Sequence, residues 1–169
     1  VTGVQTCALP IYVLDSNTFI DAKNRYYGFD IVPSFWNELI SRSRGNILTI
    51  DHIKNEIMSG NDELSTWFNT HYLTFTEATN DDEIQNSYVD IAEYVMSNQQ
   101  YKDAEKHRFL AKADPWLIAY ASVRRGVVVT HETLAGPSTT KVKIPDICEH
   151  FDVSYVNVFE MMRQLHMVI

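Results

Sequence analysis

Three short apolar runs, separated by helical stretches, constrain the fold of this chain more than any other feature. The runs cover residues 11–14, 47–50 and 127–130. Each is apolar almost throughout, which is typical of a strand that is buried on both faces of a sheet. Strands that alternate with helices form βαβ units with parallel strands. We therefore expect an α/β fold in which helices flank a central, mainly parallel sheet.

Capping residues and helix breakers predict the segments between these strands. Ser16 or Asn17 can begin a helix, Pro33 and Asp51 can begin two more, and Gly28 and Gly60 interrupt the pattern. The expected helices cover 16–25, 33 to the turn at 45–46, 51–58, a stretch from 61 or 62, a long stretch from 81, 114–125, 146–151 and 154–166. An edge strand is expected at 72–75, a loop or short helix at 98–108, and a loop at 136–143.

Length, charge and cysteine content exclude several classes of protein. The 169 residues are enough for one domain, and 22 acidic against 14 basic residues give a net charge of −8. A general surface for polyanions is therefore not expected, although a local basic patch could still bind nucleic acid. Cys7 and Cys148 form neither a disulfide framework nor a zinc-binding spacing. With no apolar run long enough to span a membrane, we expect a cytoplasmic protein.

The first ten residues differ from the rest of the chain. They read VTGVQTCALP and show neither a helical nor a strand period. They also lack the basic start and unbroken apolar run of a signal peptide. We expect a non-native or disordered leader over residues 1–10 and a single domain over residues 11–169.

Four acidic residues are expected at one edge of the sheet. Asp15 directly follows the first strand, and Glu56 lies about one turn into the helix after the second. Asp114 begins the helix that leads to the third confident strand, and Glu132 follows that strand. Because sites of parallel α/β sheets form outside the carboxyl ends of the strands, we expect these carboxylates to converge.

Four like charges in one pocket repel one another unless a proton or a cation relieves them. Their hard oxygen ligands favour Mg²⁺ or Mn²⁺, which can activate a water molecule against a phosphodiester. Each acid also has an ordinary alternative. Asp15 and Asp114 could be helix caps, Glu56 a solvated helix residue and Glu132 part of a solvated loop.

Four motifs in this order resemble those of PIN-domain nucleases. They are LDSNTFI at 14–20, IKNEI at 53–57, ADPWLIA at 113–119 and VVTHE at 128–132. The resemblance spans about residues 12–169. It is closest to a PIN-like branch, related to VapC-type toxins, that has the stretches AKNRYYGFD and KVKIPDICEHF. It implies a PIN-like three-layer fold with a helical insertion, here at 61–108.

The resemblance also implies roles for individual residues. Asp15, Glu56 and Asp114 would bind the Mg²⁺ or Mn²⁺ ion, and Glu132 would complete the catalytic pocket or act through water. Asn17 and Thr130 would orient the ligands or water from just outside the metal's own ligand set. Five basic residues could contact RNA phosphates at the rim of the pocket: Lys23, Arg25, Lys112, Lys141 and Lys143.

These roles predict a metal-dependent endoribonuclease, the toxin of a toxin–antitoxin pair. Its partners would be an RNA substrate and a protein antitoxin, and a homodimer is compatible with the resemblance. One alternative is a degenerate PIN module that binds RNA or protein without catalysis. The other is a haloacid-dehalogenase-like phosphatase, against which Asn17 counts because that chemistry needs a second Asp two residues after Asp15.

Overall fold

The computed structural model describes residues 9–43 and 45–169, so residues 1–8 of the expected leader lie outside it. Within these residues a five-stranded sheet forms the centre of the molecule. Every strand pairing is parallel. The strands are β1 (Tyr12–Leu14), β2 (Ile47–Ile50), β3 (Thr76–Glu77), β4 (Val127–Val129) and β5 (Tyr155–Val156). The predicted parallel α/β sheet is thus confirmed.

The order of the strands across the sheet is β3-β2-β1-β4-β5. From β1 the chain adds β2 and then β3 on one side. It then crosses to the other side of β1 and adds β4 and β5. The direction of strand addition therefore reverses between β1 and β4, and such a switch point opens a crevice at the carboxyl edge of an α/β sheet.

Helices cover both faces of this sheet. Phe19 and Trp36 of the first two helices pack against Phe68 and Trp67 of the fourth, with ring centroids 5.2 and 4.8 Å apart. Elsewhere in the molecule, the fifth and seventh helices make the most extensive helix–helix contact. The helices are α1 (Ser16–Asp21), α2 (Pro33–Arg42), α3 (Asp51–Met58), α4 (Glu63–His71), α5 (Asp82–Ser97), α6 (Asp103–Leu110), α7 (Asp114–Arg124), α8 (Ile144–His150) and α9 (Val158–Gln164).

Most predicted helices are present, but the two short edge strands differ from expectation. The segment predicted as an edge strand is a 3₁₀ turn, Tyr72–Thr74, and β3 follows it. The last predicted helix begins later than expected, because residues 155–156 form β5 beside β4 and Asn157 then caps α9. Two-residue strands are too short to show an alternating pattern, so only their pairing identifies them. None of the helices in the described residues has the length and apolar character needed to cross a bilayer.

Gly126 directly follows the helix predicted over residues 114–125, and in the structure it has a packing role. The residue with left-handed backbone at the helix end is Arg125, with φ of 52°. Gly126 lies against β1, where an added Cβ would be 3.0 Å from Val13 Cγ2 and 3.3 Å from Ile11 O. The absence of a side chain at this position therefore lets β4 enter the sheet beside β1.

This close approach predicts that Gly126→Ala destabilises the protein. Because the neighbouring atoms belong to β1 and the residue before it, relieving the clash requires a shift of the strand, with an expected cost of about 1–3 kcal/mol. Gly45→Ala is the matched control, since its Cβ would meet no atom within 4 Å. Chemical unfolding of both variants measures the difference. Equal stability of the two variants would contradict the proposed packing constraint.

Candidate active site

The pairing of β1 with β4 places Asp15 beside Thr130. Leu14 pairs with Val129, and the next residue of each strand lies at the carboxyl edge. The Asp15 amide donates a hydrogen bond to Val129 O at 3.0 Å. The Thr130 hydroxyl donates to Asp15 Oδ2 at 3.2 Å. These two side chains therefore meet at the switch point of the sheet.

Asp15 is completely buried. It precedes α1, but its side chain makes no capping hydrogen bond to that helix. The Ser16 hydroxyl is 3.3 Å from its Oδ1. Burial raises the pKa of Asp15 above its usual range, and the nearby charges of Glu132 and Glu56 add to this effect. Ionisation of Asp15 therefore costs more free energy in the folded protein than in water.

Asp114 is the second buried acid, with 8% of its surface exposed. It is the first residue of α7, while Ala113 occupies the cap position and has no side chain that could accept a capping hydrogen bond. The alternative that Asp114 is a helix cap is therefore not what the structure has. Burial raises the pKa of Asp114, and the negative charge of Asp15 raises it further, while Lys112 opposes the shift.

Glu56 lies on α3 and joins that helix to the start of α7. Its Oε1 accepts a hydrogen bond from the Ala113 amide at 2.8 Å. This contact satisfies one amide at the start of α7 and holds the half-buried Glu56 next to Asp114. The charge of Glu56 contributes to the raised pKa values of Asp15 and Asp114.

Glu132 approaches from the segment after β4. Its amide donates to Thr130 Oγ1 at 3.2 Å, which connects it to Asp15 through the threonine hydroxyl. Its Oε2 accepts a hydrogen bond from the Ile144 amide at 2.8 Å, and its Oε1 is 3.7 Å from Lys143 Nζ. Glu132 therefore bonds the first amide of α8 in addition to lying near the buried carboxylates.

The structure brings the four predicted acids into one electrostatic neighbourhood. The charges of Glu56 and Glu132 raise the pKa of both buried carboxylates, Asp15 and Asp114. Within residues 9–43 and 45–169, however, no three acidic, histidine or cysteine side chains are arranged to hold a metal ion. Glu56 and Glu132 each direct one oxygen to a backbone amide, so one oxygen of each is not bonded to an amide.

The remaining predicted residues divide into two groups. Lys112, Lys141 and Lys143 line a cavity of about 170 Å³ together with Asp114 and Glu132. Arg108 of α6 also lines it, which sequence reasoning missed because nothing in its polar surroundings distinguishes it.

The structure does not place the other three predicted residues in this cavity. Lys23 is paired with Asp62 at 2.9 Å and Arg25 with Asp21 at 3.1 Å. The side chain of Asn17 is exposed, and in the described part of the chain its side-chain amide forms no hydrogen bond with Asp15.

Comparison with solved structures supports a PIN-like fold. The chain is similar to one in a structure described as VapBC2 from Rickettsia felis bound to a DNA fragment from their promoter. The TM-score is 0.54 and the sequence identity 12%, over 87% of this chain and 98% of that chain. At this identity the similarity concerns the fold, and it agrees with the three-layer PIN-like architecture expected from the motifs.

Sequence comparison identifies the family. No curated protein matches the chain. The family described as "Domain of unknown function (DUF4411)" matches residues 12–169, which include every strand of the sheet and all four acids of the candidate site. The chain therefore belongs to the DUF4411 family.

Proposed function

We propose that this protein is a metal-dependent endoribonuclease that hydrolyses RNA phosphodiester bonds. The observation that carries the proposal is the pair of buried carboxylates, Asp15 and Asp114, at the switch point of the sheet. In the described residues neither acid forms an ion pair, and Asp15 occupies the cap position of α1 without a side-chain capping hydrogen bond. Burying a carboxylate without an ion pair or a capping hydrogen bond lowers the stability of the fold. A functional role therefore accounts for these two acids better than a structural one.

The donor set fits Mg²⁺ or Mn²⁺ in its chemistry. Carboxylate oxygens are the ligands these ions prefer, and a cation would relieve the repulsion that raises the pKa values of Asp15 and Asp114. In this proposal Asp15, Glu56 and Asp114 hold the ion. When bound, such an ion supplies an activated water and neutralises charge that develops on a phosphodiester.

The chain's own residues provide orientation and charge around this position. The Thr130 hydroxyl fixes one oxygen of Asp15, and Glu56 is fixed by the Ala113 amide. Asn17 is proposed to orient water from the exposed side. Glu132 remains the fourth catalytic acid of the proposal, completing the pocket or acting through water.

The partners are also proposed. The solved relative is a VapBC2 assembly, and by analogy we infer that this chain is a toxin held by a protein antitoxin in the cytoplasm. A homodimer is compatible with this assignment. Residues 1–10 are proposed to lie outside the functional domain, which covers residues 11–169.

A second candidate is a PIN-like module that binds RNA or protein without cleaving it. The observation that favours it is the engagement of Glu56 and Glu132 with backbone amides, which leaves each with one oxygen for a ligand. Metal-dependent cleavage separates the two candidates directly.

We expect the purified protein to cleave single-stranded RNA of mixed sequence in Mn²⁺ or Mg²⁺ and not in EDTA. Asp114→Asn keeps the shape of the side chain but removes a charged ligand, so cleavage should fall by about 100-fold or more, since even indirect partners of a metal cost 10–100-fold. Asp82→Asn is the control, because Asp82 is also the first residue of a helix but lies outside the site. Undiminished cleavage by Asp114→Asn would remove the assignment, and no cleavage by the wild type would favour the binding module.

The same substitution should change stability in opposite ways with and without metal. The pKa of Asp114 is raised on folding, so its ionisation opposes folding at pH values above 3.8, the usual pKa of aspartate. In EDTA at pH 8, Asp114→Asn should therefore melt higher than the wild type, and a gain of about 1 kcal/mol corresponds to about 2–4 °C. The difference should shrink as the pH falls toward 3.8.

Mn²⁺ should stabilise the wild type by about 2.7 kcal/mol at a hundredfold excess over Kd, and Asp114→Asn much less. Melting curves of the wild type, Asp114→Asn and Asp82→Asn in EDTA and in Mn²⁺ provide the comparison. Equal metal-induced shifts in the wild type and Asp114→Asn would argue against Asp114 as a ligand.

The toxin assignment makes a separate prediction in cells. Expression of the wild type without a partner should arrest growth, because unrestrained RNA cleavage stops translation. Asp15→Asn, which should lose the ion but keep the side-chain volume, should allow normal growth at equal soluble expression. Normal growth with abundant soluble wild-type protein would remove the toxin assignment and leave the nuclease assignment to the cleavage assay.

A further inference from the structure

The cavity beside Asp114 lies between two walls that carry positive charge. Arg108 of α6 and Lys112 just after it form one wall, and Lys141 and Lys143 form the other. The chain has 14 basic residues in all and a net charge of −8, and four of those basic residues meet here beside three acids, Glu105, Asp114 and Glu132. Arg108 is paired with Glu105 at 2.7 Å, and Lys143 Nζ lies 3.7 Å from Glu132 Oε1. Among the described residues Lys112 and Lys141 form no ion pair, which leaves their charges available to a ligand.

The second wall belongs to residues 133–143, which we call the arm. Its base is held by two side-chain contacts. The Glu132 carboxylate accepts a hydrogen bond from the Ile144 amide at 2.8 Å, and the Asp146 carboxylate accepts one from the Ala135 amide at 3.3 Å. The two ends of the arm are therefore fastened to each other and to α8.

The tip of the arm is held against the segment that precedes α6. The Gln100 side-chain amide donates to the carbonyls of Pro137 and Thr139, at 3.2 and 2.9 Å. The Lys102 amide donates to Thr140 O at 3.1 Å. These contacts fix the arm across the cavity from α6.

The wall formed by α6 is held by a buried lysine of the same helix. Lys106 of α6 has only 6% of its surface exposed, although lysine is almost never buried without a partner. Its ammonium group donates to Met96 O at 3.1 Å, in the last turn of α5, and is 3.3 Å from Asp103. This buried contact joins α6, which carries Arg108, to the end of α5.

We propose that Glu132 is a positioning residue that fastens the arm, and that the cleft between the arm and α6 binds a phosphate group of a polynucleotide backbone. The two walls present ammonium and guanidinium groups, which form charge-assisted hydrogen bonds with phosphate oxygens. Glu132 acts on this ligand through Lys141 and Lys143, because its Oε2 is committed to the Ile144 amide. The identity of the ligand rests on the proposed function, whereas the hold on the arm does not.

The two possible roles of Glu132 respond differently to Glu132→Gln. The glutamine carbonyl can still accept the hydrogen bond from the Ile144 amide, but it is a much weaker metal ligand than a carboxylate. Glu132→Ala loses both properties. A positioning role therefore predicts that Glu132→Gln keeps the hold on the arm and the low KM that Glu132→Ala loses. A ligand role predicts that Glu132→Gln loses cleavage as Glu132→Ala does.

Hydrogen–deuterium exchange tests the hold on the arm without any substrate. Peptides covering residues 133–144 should exchange at wild-type rates in Glu132→Gln and at least tenfold faster in Glu132→Ala. Equal exchange in wild type and Glu132→Ala would overturn the positioning role. If Glu132→Ala does not fold, wild-type exchange in Glu132→Gln supports the role and tenfold faster exchange in that variant overturns it.

Binding of a labelled single-stranded RNA in EDTA tests the cleft when no cleavage occurs. Lys141→Gln/Lys143→Gln should weaken binding at least tenfold and reduce the slope of log K against log salt by about 0.7 for each phosphate that the variant no longer neutralises. Arg125→Gln is the control, because Arg125 is an exposed residue before β4, at the opposite edge of the sheet. Equal affinities of the wild type and the lysine variant would overturn the phosphate site.

The cleavage assay adds a separation of KM from kcat. Glu132→Ala should raise KM at least tenfold, and Glu132→Gln should return KM to within about threefold of the wild-type value. A large fall of kcat in Glu132→Gln with wild-type exchange in the arm would make Glu132 a ligand instead. If the wild type does not cleave RNA, the nuclease proposal fails. The exchange and binding results then still decide whether Glu132 holds the arm and whether the cleft binds phosphate.

Discussion

The parallel pairing of β1 with β4 is the constraint on which the candidate site depends. It places the end of one strand beside the end of another that is more than 100 residues away in sequence. The hydrogen bond from Thr130 to Asp15 exists only because Leu14 and Val129 are in register. The absence of a side chain at Gly126 protects this register at the other end of β4. Sheet packing and site geometry are therefore two results of the same contact between strands.

Around this contact the structure accumulates negative charge that it does not neutralise internally. Asp15 and Asp114 are buried, and the charge of Asp15 raises the cost of ionising Asp114. The two glutamates on the rim are stabilised differently, because each accepts a hydrogen bond from a backbone amide. Repulsion therefore destabilises the ionised forms of Asp15 and Asp114, whereas Glu56 and Glu132 are each held by a hydrogen bond. A small cation is the simplest ligand that would relieve this repulsion without disturbing the rim.

Sequence reasoning was most successful where local signals and long-range packing agree. The apolar runs identified β1, β2 and β4, and the proline at position 33 marked the start of α2. Asp15, Glu56, Asp114 and Glu132 could be selected because each follows a strand or lies near the start of a helix in an expected βαβ unit. The short strands β3 and β5 could not be predicted, because their two residues each carry no period and are defined only by their neighbours.

The details of the site were also outside the reach of the sequence. That Glu132 bonds the Ile144 amide depends on how the chain returns after the arm, a distance of twelve residues without secondary structure. Arg108 lines the cleft and Lys106 of the same helix is buried against the end of α5, and no spacing of charges in the sequence reveals either position. Conversely, Lys23 and Arg25 looked available in sequence but have carboxylate partners in space.

The placement of basic side chains on one cleft gives this acidic molecule an uneven electric field. The net charge of −8 opposes the approach of a polyanion, while four basic side chains are gathered at one cavity. Salt screens exposed charges beyond about 8 Å at physiological ionic strength, so these four side chains act only at short range. In the proposed function, a strand that collides elsewhere would be repelled, whereas one that reaches the cleft would meet the lysines directly. Discrimination by the orientation of encounter would then precede any contact with a base.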